Sequence, residues 1–248
     1  MGNMTSEVSD LIQTYKSDKR THHNGEPWVL LNMISSSNGL ATLNGLSGSL
    51  GGTADKALFK TLRSISDVII VGYGTVRDEQ YRPPQLTKEA IKQRESQGRS
   101  DLPVIAVISN RLNFDKEIPL FSSKGYRPVV VTSSSSPDIN RTDLSSICDV
   151  FVSGEEKVDL KEAVTLLSSR FGKVILVEGG PSLNTQFVKD DLFDELCITT
   201  SPHRSKDIHA PVVTTGESYG KGLMIEDRVI ELDGFTFTRF LRSREENC

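Results

Sequence analysis

The sequence lacks the marks of a membrane-spanning, disulfide-stabilised or metal-binding protein. No apolar run approaches the roughly 20 residues that a membrane helix needs, so we expect no membrane partner. The three cysteines lie far apart and form no CxxC pair, and an odd, sparse set of this kind is typical of a reducing compartment. The four histidines form no HxxxH pair either. We therefore predict a cytoplasmic protein without a metal site.

A strong charge of either sign is also missing. The formal net charge is −4, and the basic residues are scattered along the chain rather than clustered. This argues against a nucleic-acid partner, because such proteins concentrate lysine and arginine on one surface. The 248 residues are 36% hydrophobic and 25% charged, which is typical of a globular protein with one large domain or two small ones.

The first segment of the chain differs from the rest. Residues 1–26 are polar, but apolar side chains recur at helical spacing from Val8 to Tyr15, which predicts a partly helical N-terminal extension. Residues 27–248 show no clear linker, and we predict that they form a single domain. Within them, residues 35–53 are rich in glycine and serine and too long for a plain turn, which predicts a functional loop.

The body of the chain alternates strand and helix signals. Helices are expected at 54–65 and at 159–172, the second capped by Asp159 and ended by Gly172. Asp233-Gly234 predicts a hairpin within residues 228–241. We predict an α/β fold whose mainly parallel central sheet has an antiparallel C-terminal edge. The other strands are expected at residues 28–34, 67–72, 103–109, 128–133, 148–152, 173–178 and 195–201.

Two of the predicted strands end abruptly in glycine. VGYGTVRD (71–78) runs into Gly-x-Gly, and VILVEGGPSLNTQF (174–187) runs into Gly179, Gly180 and a proline suited to a helix start. Glycine lets a ligand approach the backbone, and helix starts leave N–H donors unpaired with a partial positive charge. The combination indicates a phosphate site. Tight turns without a ligand remain the alternative, because the third glycine of the dinucleotide fingerprint is missing.

Four stretches of the chain together resemble a known family. They resemble, in order, the signature blocks of the riboflavin-pathway pyrimidine reductases, over about residues 27–242. The resemblance implies a dihydrofolate-reductase-like three-layer fold, NADPH as cofactor and a homodimer. The H-x-E and P-C-x-x-C motifs of the deaminase half of bifunctional members do not occur. The stretches are NMISSSNGLAT (32–42), SDVIIVGYGTVR (66–77), VILVEGGPSLNTQFV (174–188) and FDELCITTSP (193–202).

The resemblance also implies which residues hold the cofactor. Thr132 and Ser133 come at the end of a predicted strand, at the place where an adenosine 2′-phosphate would bind. Such a contact favours NADPH over NADH, although serine runs also occur in ordinary loops. Glu178 either binds the nicotinamide carboxamide or pins its loop, and the sequence does not separate the two roles. The phosphate loops implied by the resemblance are Gly72, Gly74 and Thr75 for the first, and Glu178, Gly179, Gly180, Ser182 and Leu183 for the second.

The substrate side departs from the family pattern. Most members read K-x-A-x-S-L-D-G where this chain has residues 32–39, so Asn32 replaces a lysine and Asn38 replaces an aspartate. An amide does not titrate, whereas a carboxyl group relays a proton. We take Ser36 and Asn38 as candidate catalytic residues, and Asn32, Arg77 and Arg82 as candidate substrate-binding residues. The two arginines are equally well explained as surface residues.

Three functions remain open at this point. The first is an NADPH-dependent reductase of a ribosylamino-pyrimidine, such as 5-amino-6-(5-phosphoribosylamino)uracil. The second is a reductase of a dihydropterin or dihydrofolate, and the third is an NADP-binding protein without turnover. If residue 38 lies where the proton is delivered, Asn38→Asp should raise activity.

Overall fold

The computed structural model describes residues 5–22, 24–207, 210–212 and 224–243. In these ranges the strands are Trp28–Ser35 (β1), Val68–Gly72 (β2), Val104–Ile108 (β3), Val129–Thr132 (β4), Asp149–Val152 (β5), Val174–Gly179 (β6), Glu195–Thr200 (β7), Met224–Leu232 (β8) and Phe235–Arg242 (β9). The helices are Ser6–Ser17 (α1), Thr53–Ile65 (α2), Tyr73–Asp78 (α3), Lys88–Ser96 (α4), Pro119–Ser122 (α5), Asp138–Leu144 (α6), Leu160–Phe171 (α7) and Pro181–Lys189 (α8). A short 3₁₀ turn occupies Ser47–Ser49.

The chain divides into two compact units. The terminal unit consists of Met1–Arg20, Trp28–Ile65 and Pro181–Cys248, and the middle unit consists of Thr21–Pro27 and Ser66–Gly180. Each unit contains its own run of strands. The predicted division into an extension over residues 1–26 and one domain over residues 27–248 stays a prediction.

The middle unit is built on five parallel strands in the order β5, β4, β3, β2 and β6. Strand β2, which lies between β3 and β6, is apolar throughout, and the four residues from Val68 to Val71 are completely buried. A continuous apolar run is what a parallel strand covered on both faces requires. Parallel pairing also brings the carboxyl ends of these strands to one edge, so the segments that follow them are neighbours.

Helix α7 shows how local sequence sets the element boundaries in this unit. The side chain of Asp159 accepts a hydrogen bond from the backbone N–H of Glu162 at 2.9 Å, which satisfies one of the free donors of the first turn. Gly172 ends the helix with φ of 130°, a conformation that favours glycine. A side chain at Gly172 would also collide with Asp67. Both predicted ends of this helix are confirmed.

The terminal unit mixes parallel and antiparallel pairing. β1 pairs in parallel with β7, and β7, β9 and β8 then pair antiparallel. The turn between β8 and β9 is Asp233-Gly234, with φ of 53° and 79°, as a two-residue hairpin turn requires. The predicted α/β class, mainly parallel with antiparallel pairing at the C-terminal strands, is confirmed.

A buried ionic cluster joins the N-terminal segment to the rest of the terminal unit. Glu195 is completely buried, and its carboxylate receives hydrogen bonds from Arg20, Arg239 and the indole N–H of Trp28 at 2.7–2.9 Å. Burial alone would raise the pKa of Glu195, but the two arginines outweigh it and lower the pKa to about 2. Helix α1 precedes Arg20 and contributes Val8, Leu11 and Tyr15 to the core.

Within the described ranges, no helix is long and apolar enough to cross a membrane.

Candidate active site

The two glycine-rich breaks lie side by side in the middle unit. β2 pairs with β6, with Val71 opposite Gly179. A Cβ placed on Gly72 would lie 3.7 Å from the carbonyl oxygen of Gly179. A Cβ on Gly180 would lie only 2.6 Å from Oγ1 of Thr75, closer than side-chain contacts occur. Position 180 therefore admits only glycine while Thr75 keeps its place.

Both breaks lead directly into helices. Helix α3 begins at Tyr73, immediately after Gly72, and α8 begins at Pro181, immediately after Gly180. The first turn of a helix leaves backbone N–H groups without intrahelical partners. In the middle unit these include the amides of Gly74 and Thr75 in α3. In the terminal unit the first turn of α8 contains those of Ser182 and Leu183, and the cofactor-binding role of all four stays a prediction. A Cβ on Gly74 would meet nothing within 4 Å, so the space above this turn is open.

The second break has an unusual backbone. Gly179 has φ of 90°, and the peptide bond between Gly179 and Gly180 is cis. Few residues other than glycine adopt such a φ, since a side chain at that position would be strained. Glycine is thus required at position 179 by backbone conformation and at position 180 by the contact with Thr75.

Glu178 faces a tyrosine that the sequence did not single out. The hydroxyl of Tyr81 donates a hydrogen bond to Oε2 of Glu178 at 2.8 Å. The backbone of Tyr81 is itself fixed, because its N–H donates to the carbonyl of Val76 at 3.0 Å. Of the two roles left open for Glu178, this contact matches that of a residue that pins its loop. Tyr81 follows α3 by three residues, too far from the GYGT motif to be linked to Glu178 by pattern.

Thr132 and Ser133 lie at the carboxyl end of β4, but neither side chain reaches the surface. Both residues are completely buried. Ser133 Oγ is 3.0 Å from Oγ of Ser135, and among the described residues Oγ1 of Thr132 has no hydrogen-bond partner. The exposed hydroxyls of this loop belong to Ser134 and Ser135. Ser134 and Ser135 thus present the exposed hydroxyls next to the predicted residues, and the contact of Thr132 and Ser133 with a 2′-phosphate stays a prediction.

The two candidate arginines are surface residues of the middle unit. Arg77 lies in α3 and forms an exposed ion pair with Asp78, with Nε and Oδ1 2.8 Å apart. Arg82 follows α3 and is exposed. An exposed ion pair contributes little to stability, so Arg77 is free to exchange Asp78 for another anion. Nothing in their packing distinguishes the substrate-binding role from the surface role.

The other three residues expected on the substrate side, Asn32, Ser36 and Asn38, belong to the terminal unit. Asn32 is half-buried in β1, opposite Cys197 of β7. Ser36 is buried and Asn38 is exposed in the turn that follows β1. The hydroxyl of Ser36 donates to Oδ1 of Asn38 at 3.0 Å. The structure therefore brings Ser36 and Asn38 together and places Asn32 further back on the strand.

Asp55, which the sequence analysis did not single out, is a titratable group near the same end of β1 and β7. It lies in the first turn of α2, and its carboxylate is hydrogen-bonded to the side chain of Thr199, near the end of β7. Burial raises the pKa of Asp55 above its ordinary value, and the Thr199 bond opposes the shift. A Cβ on Gly51 would lie 2.5 Å from its Oδ2, so a glycine leaves room for the carboxylate. The only local signal was an acid in a helix's first turn, which is common.

Comparison with known proteins identifies the family. Residues 27–226 match the family model described as the RibD C-terminal domain. The chain belongs to the RibD C-terminal domain family. This confirms the resemblance seen in the four sequence blocks, and it implies a nicotinamide cofactor, because relatives of this chain are named as reductases.

Two curated relatives of this chain have the same name. The Archaeoglobus fulgidus "2,5-diamino-6-ribosylamino-4(3H)-pyrimidinone 5′-phosphate reductase" is 29% identical over 189 residues, 76% of this chain and 86% of that protein. The Aquifex aeolicus protein of that name is 27% identical over 198 residues, 77% of this chain and 80% of its own length. Both are matched over most of their length.

Solved structures agree with the family assignment. A pyrimidine reductase-like protein from Corynebacterium diphtheriae has a TM-score of 0.78 and 29% identity, and the match covers 88% of this chain and 93% of that one. Dihydrofolate reductase from Enterococcus faecalis has a TM-score of 0.51 and 9% identity, covering 88% and 97%. The second likeness concerns the fold alone, and it confirms that the fold is dihydrofolate-reductase-like.

Proposed function

We propose that this protein is an NADPH-dependent reductase of a ribosylamino-pyrimidine 5′-phosphate in riboflavin biosynthesis. The observation that carries the proposal is the pair of glycine loops, with Gly180 against Thr75, in a chain whose named relatives reduce such a compound. The substrate that we favour is the 2,5-diamino-pyrimidinone of those names. The uracil form is the alternative within the same reaction.

The glycine loops fit the diphosphate of a nicotinamide dinucleotide. Glycine at positions 72, 74, 179 and 180 leaves the backbone accessible, and two helix starts supply N–H donors with a partial positive charge. The carboxylate of Glu178, which directly precedes Gly179, is hydrogen-bonded by Tyr81, which limits its repulsion of a phosphate. We infer NADPH rather than NADH from the hydroxyl-rich loop after β4, where Ser134 and Ser135 are exposed. Their hydroxyls donate to the carbonyl oxygens of Glu155 and Glu156 at 3.2 and 2.9 Å, and they would turn from these to a 2′-phosphate.

The bound cofactor would supply a hydride to C1′ of the ribosylamino group. As the ribose ring opens, the C1′–N bond becomes an imine, and its reduction also consumes one proton at the nitrogen. Among the described residues of the terminal unit, we assign that proton to Asp55, because burial raises the pKa of its carboxyl group. Asn32 would contact the substrate from β1 in place of the family's lysine, so the charge of that lysine is not available here.

We also infer a homodimer and a cytoplasmic location. Ile225 and Val229 of β8 are 50% and 45% exposed, and β8 is the last strand of the terminal unit's run. Apolar side chains on an outer strand are what a second copy would cover. Sedimentation equilibrium on the intact chain tests the dimer, and a monomer at micromolar concentration would contradict it.

Stopped-flow absorbance of NADPH tests the activity. The protein is mixed with NADPH and, in separate experiments, with the diamino-pyrimidinone, the uracil compound or a dihydropterin. We expect NADPH oxidation with the diamino-pyrimidinone and slower oxidation, or none, with the other two. NADPH oxidation with the dihydropterin alone would contradict the proposed substrate. NADPH binding without NADPH oxidation in any of the mixtures would contradict the proposed activity.

A further inference from the structure

Asn38 contacts both backbone polar groups of Ser205, a residue 167 positions away in the sequence. Its Oδ1 accepts a hydrogen bond from the N–H of Ser205 at 3.0 Å, and its Nδ2 donates to the carbonyl oxygen of Ser205 at 3.1 Å. One amide thus pairs with both groups of one residue, as a neighbouring strand does in a sheet. Asn38 belongs to the loop after β1, and Ser205 belongs to the loop after β7.

Backbone hydrogen bonds also join the loop after β1 to the loop after β7 on both sides of Asn38. The bonds are Ser201 N to Ser35 O (2.8 Å), Ser37 N to His203 O (2.9 Å) and Ala41 N to Pro211 O (2.8 Å). Between them the first loop turns back on itself, with Gly39 at φ of 81° and its N–H bonded to Ser36 O. A backbone that turns in this way offers no group to Ser205, so the side chain of Asn38 takes that place.

The contact uses a property that an amide has and a carboxylate lacks. An ionised aspartate only accepts hydrogen bonds. At position 38 its second oxygen would face the carbonyl oxygen of Ser205, now 3.1 Å from Nδ2, and two acceptors would be left in contact. Turning the amide over is no alternative, because Nδ2 would then face the N–H of Ser205. The partners of Asn38 therefore fix both the residue type and its orientation.

The hydroxyl of Ser36 is also hydrogen-bonded within the loop after β1. Ser36 Oγ donates to Oδ1 of Asn38 at 3.0 Å and accepts from the N–H of Leu40 at 2.9 Å. The segment that these contacts hold carries His203, Arg204 and Lys206, all exposed. The cationic side chains of Arg204 and Lys206 suit a phosphorylated substrate.

We propose that Asn38 is a positioning residue, which fixes the 203–206 segment against the loop after β1 by a contact that requires an amide. It holds that segment, with its cationic side chains, in place for the substrate phosphate, and it does not deliver the proton. The proposal deepens the proposed function and rests on it in assigning these loops to the substrate.

Three variants separate this role from proton delivery. Asn38→Ala removes every contact of the amide, Asn38→Asp keeps the acceptor and removes the donor, and Ser37→Ala is an exposed control on the same turn. Hydrogen exchange of residues 203–206 is measured by mass spectrometry, together with kcat, KM for the pyrimidine and Kd for NADPH. The exchange measurement needs no substrate.

We expect Asn38→Ala to speed exchange in the 203–206 segment by about tenfold or more, with Asn38→Asp intermediate and Ser37→Ala unchanged. Both Asn38 variants should raise KM about tenfold while kcat and the Kd for NADPH change much less. Faster turnover by Asn38→Asp, or unchanged exchange in Asn38→Ala, would overturn the proposal. If the wild-type protein reduces no pyrimidine, the proposed function fails, and the exchange data still decide whether Asn38 fixes this segment.

Discussion

Arg20 and Glu195 form a buried ion pair with Nη2 and Oε1 2.7 Å apart, although 175 positions separate them in the sequence. A second bond, from Nε of Arg20 to Oε2 at 2.8 Å, makes the contact bidentate. This pair attaches the segment after α1 to the first residue of β7. The N-terminal segment is in this respect part of the terminal unit's core.

Removing Arg20 should destabilise the protein strongly. Arg20→Met leaves the buried carboxylate of Glu195 short of a partner, and breaking such a pair costs about 3–5 kcal/mol in free energy of unfolding. Urea unfolding followed by circular dichroism measures the change. Lys116→Met is the control, because Lys116 pairs with Asp143 at the surface and such pairs contribute about 0–1 kcal/mol. Equal losses of unfolding free energy in the two variants would contradict the expectation that the buried pair contributes more than the surface pair.

Stability should fall in acid through Glu195. Its pKa is lowered from the ordinary 4.5 to about 2 in the folded protein, so the unfolded chain binds the proton more readily. The stabilisation is therefore complete above about pH 4.5 and is lost as the pH falls towards 2. Melting temperatures of the wild type and of Glu195→Gln, measured across this window, should converge at low pH. Parallel curves of melting temperature against pH would show that another group causes the loss of stability in acid.

Gly180→Ala should weaken cofactor binding. Its Cβ would lie 2.6 Å from Oγ1 of Thr75, so one of the two glycine loops must move. We expect the Kd for NADPH in titration calorimetry to rise by about tenfold or more. Gly74→Ala is the control, and we expect it to fold as the wild type does, because a Cβ at this position meets nothing within 4 Å.

A double variant tests the cause of that loss. Thr75→Ala removes the hydroxyl that Gly180→Ala would strike, so the loops can keep their positions in the double variant. If loop displacement is the cause, the double variant should bind NADPH better than Gly180→Ala alone. Wild-type affinity in Gly180→Ala itself would argue that no phosphate lies at this break.

Asp55→Asn should lower turnover while leaving NADPH affinity unchanged. General acid catalysis contributes about 10²–10⁴ in rate, and asparagine keeps the acceptor for Thr199 but has no proton to transfer. The pKa of Asp55 is raised and the acid acts when protonated, so wild-type kcat should fall as the pH rises through that pKa. The variant's kcat should be flat over the same range. An unaltered pH profile in Asp55→Asn would exclude it as the acid.

Local chemistry made much of the fold predictable. Asp159 and Gly172 bound α7 because a side-chain cap and a positive φ act within a few residues of the helix ends. Asp233-Gly234 specified its hairpin for the same reason. Strand β2 was recognisable because burial on both faces requires a continuous apolar run.

The contacts that could not be predicted from the sequence all join distant parts of the chain. Glu195 reads as an ordinary first residue of a strand, and only the fold brings Arg20 and Arg239 to it. The same holds for Asp55 with Thr199 and for Glu178 with Tyr81. At Asn38 the sequence suggested a lost proton donor, whereas the partner that explains the amide is a backbone 167 positions away.

The assembly of the terminal unit from both ends of the chain sets an order of events during synthesis. The middle unit is almost continuous, from Ser66 to Gly180, and can fold as it leaves the ribosome. β1 emerges before it, yet its parallel partner β7 begins at Glu195. At roughly 5–20 residues per second, the apolar strand β1 waits on the order of 10–30 seconds for β7. During that interval its WVLLNMIS segment is a target for chaperones or for mispairing with another nascent chain.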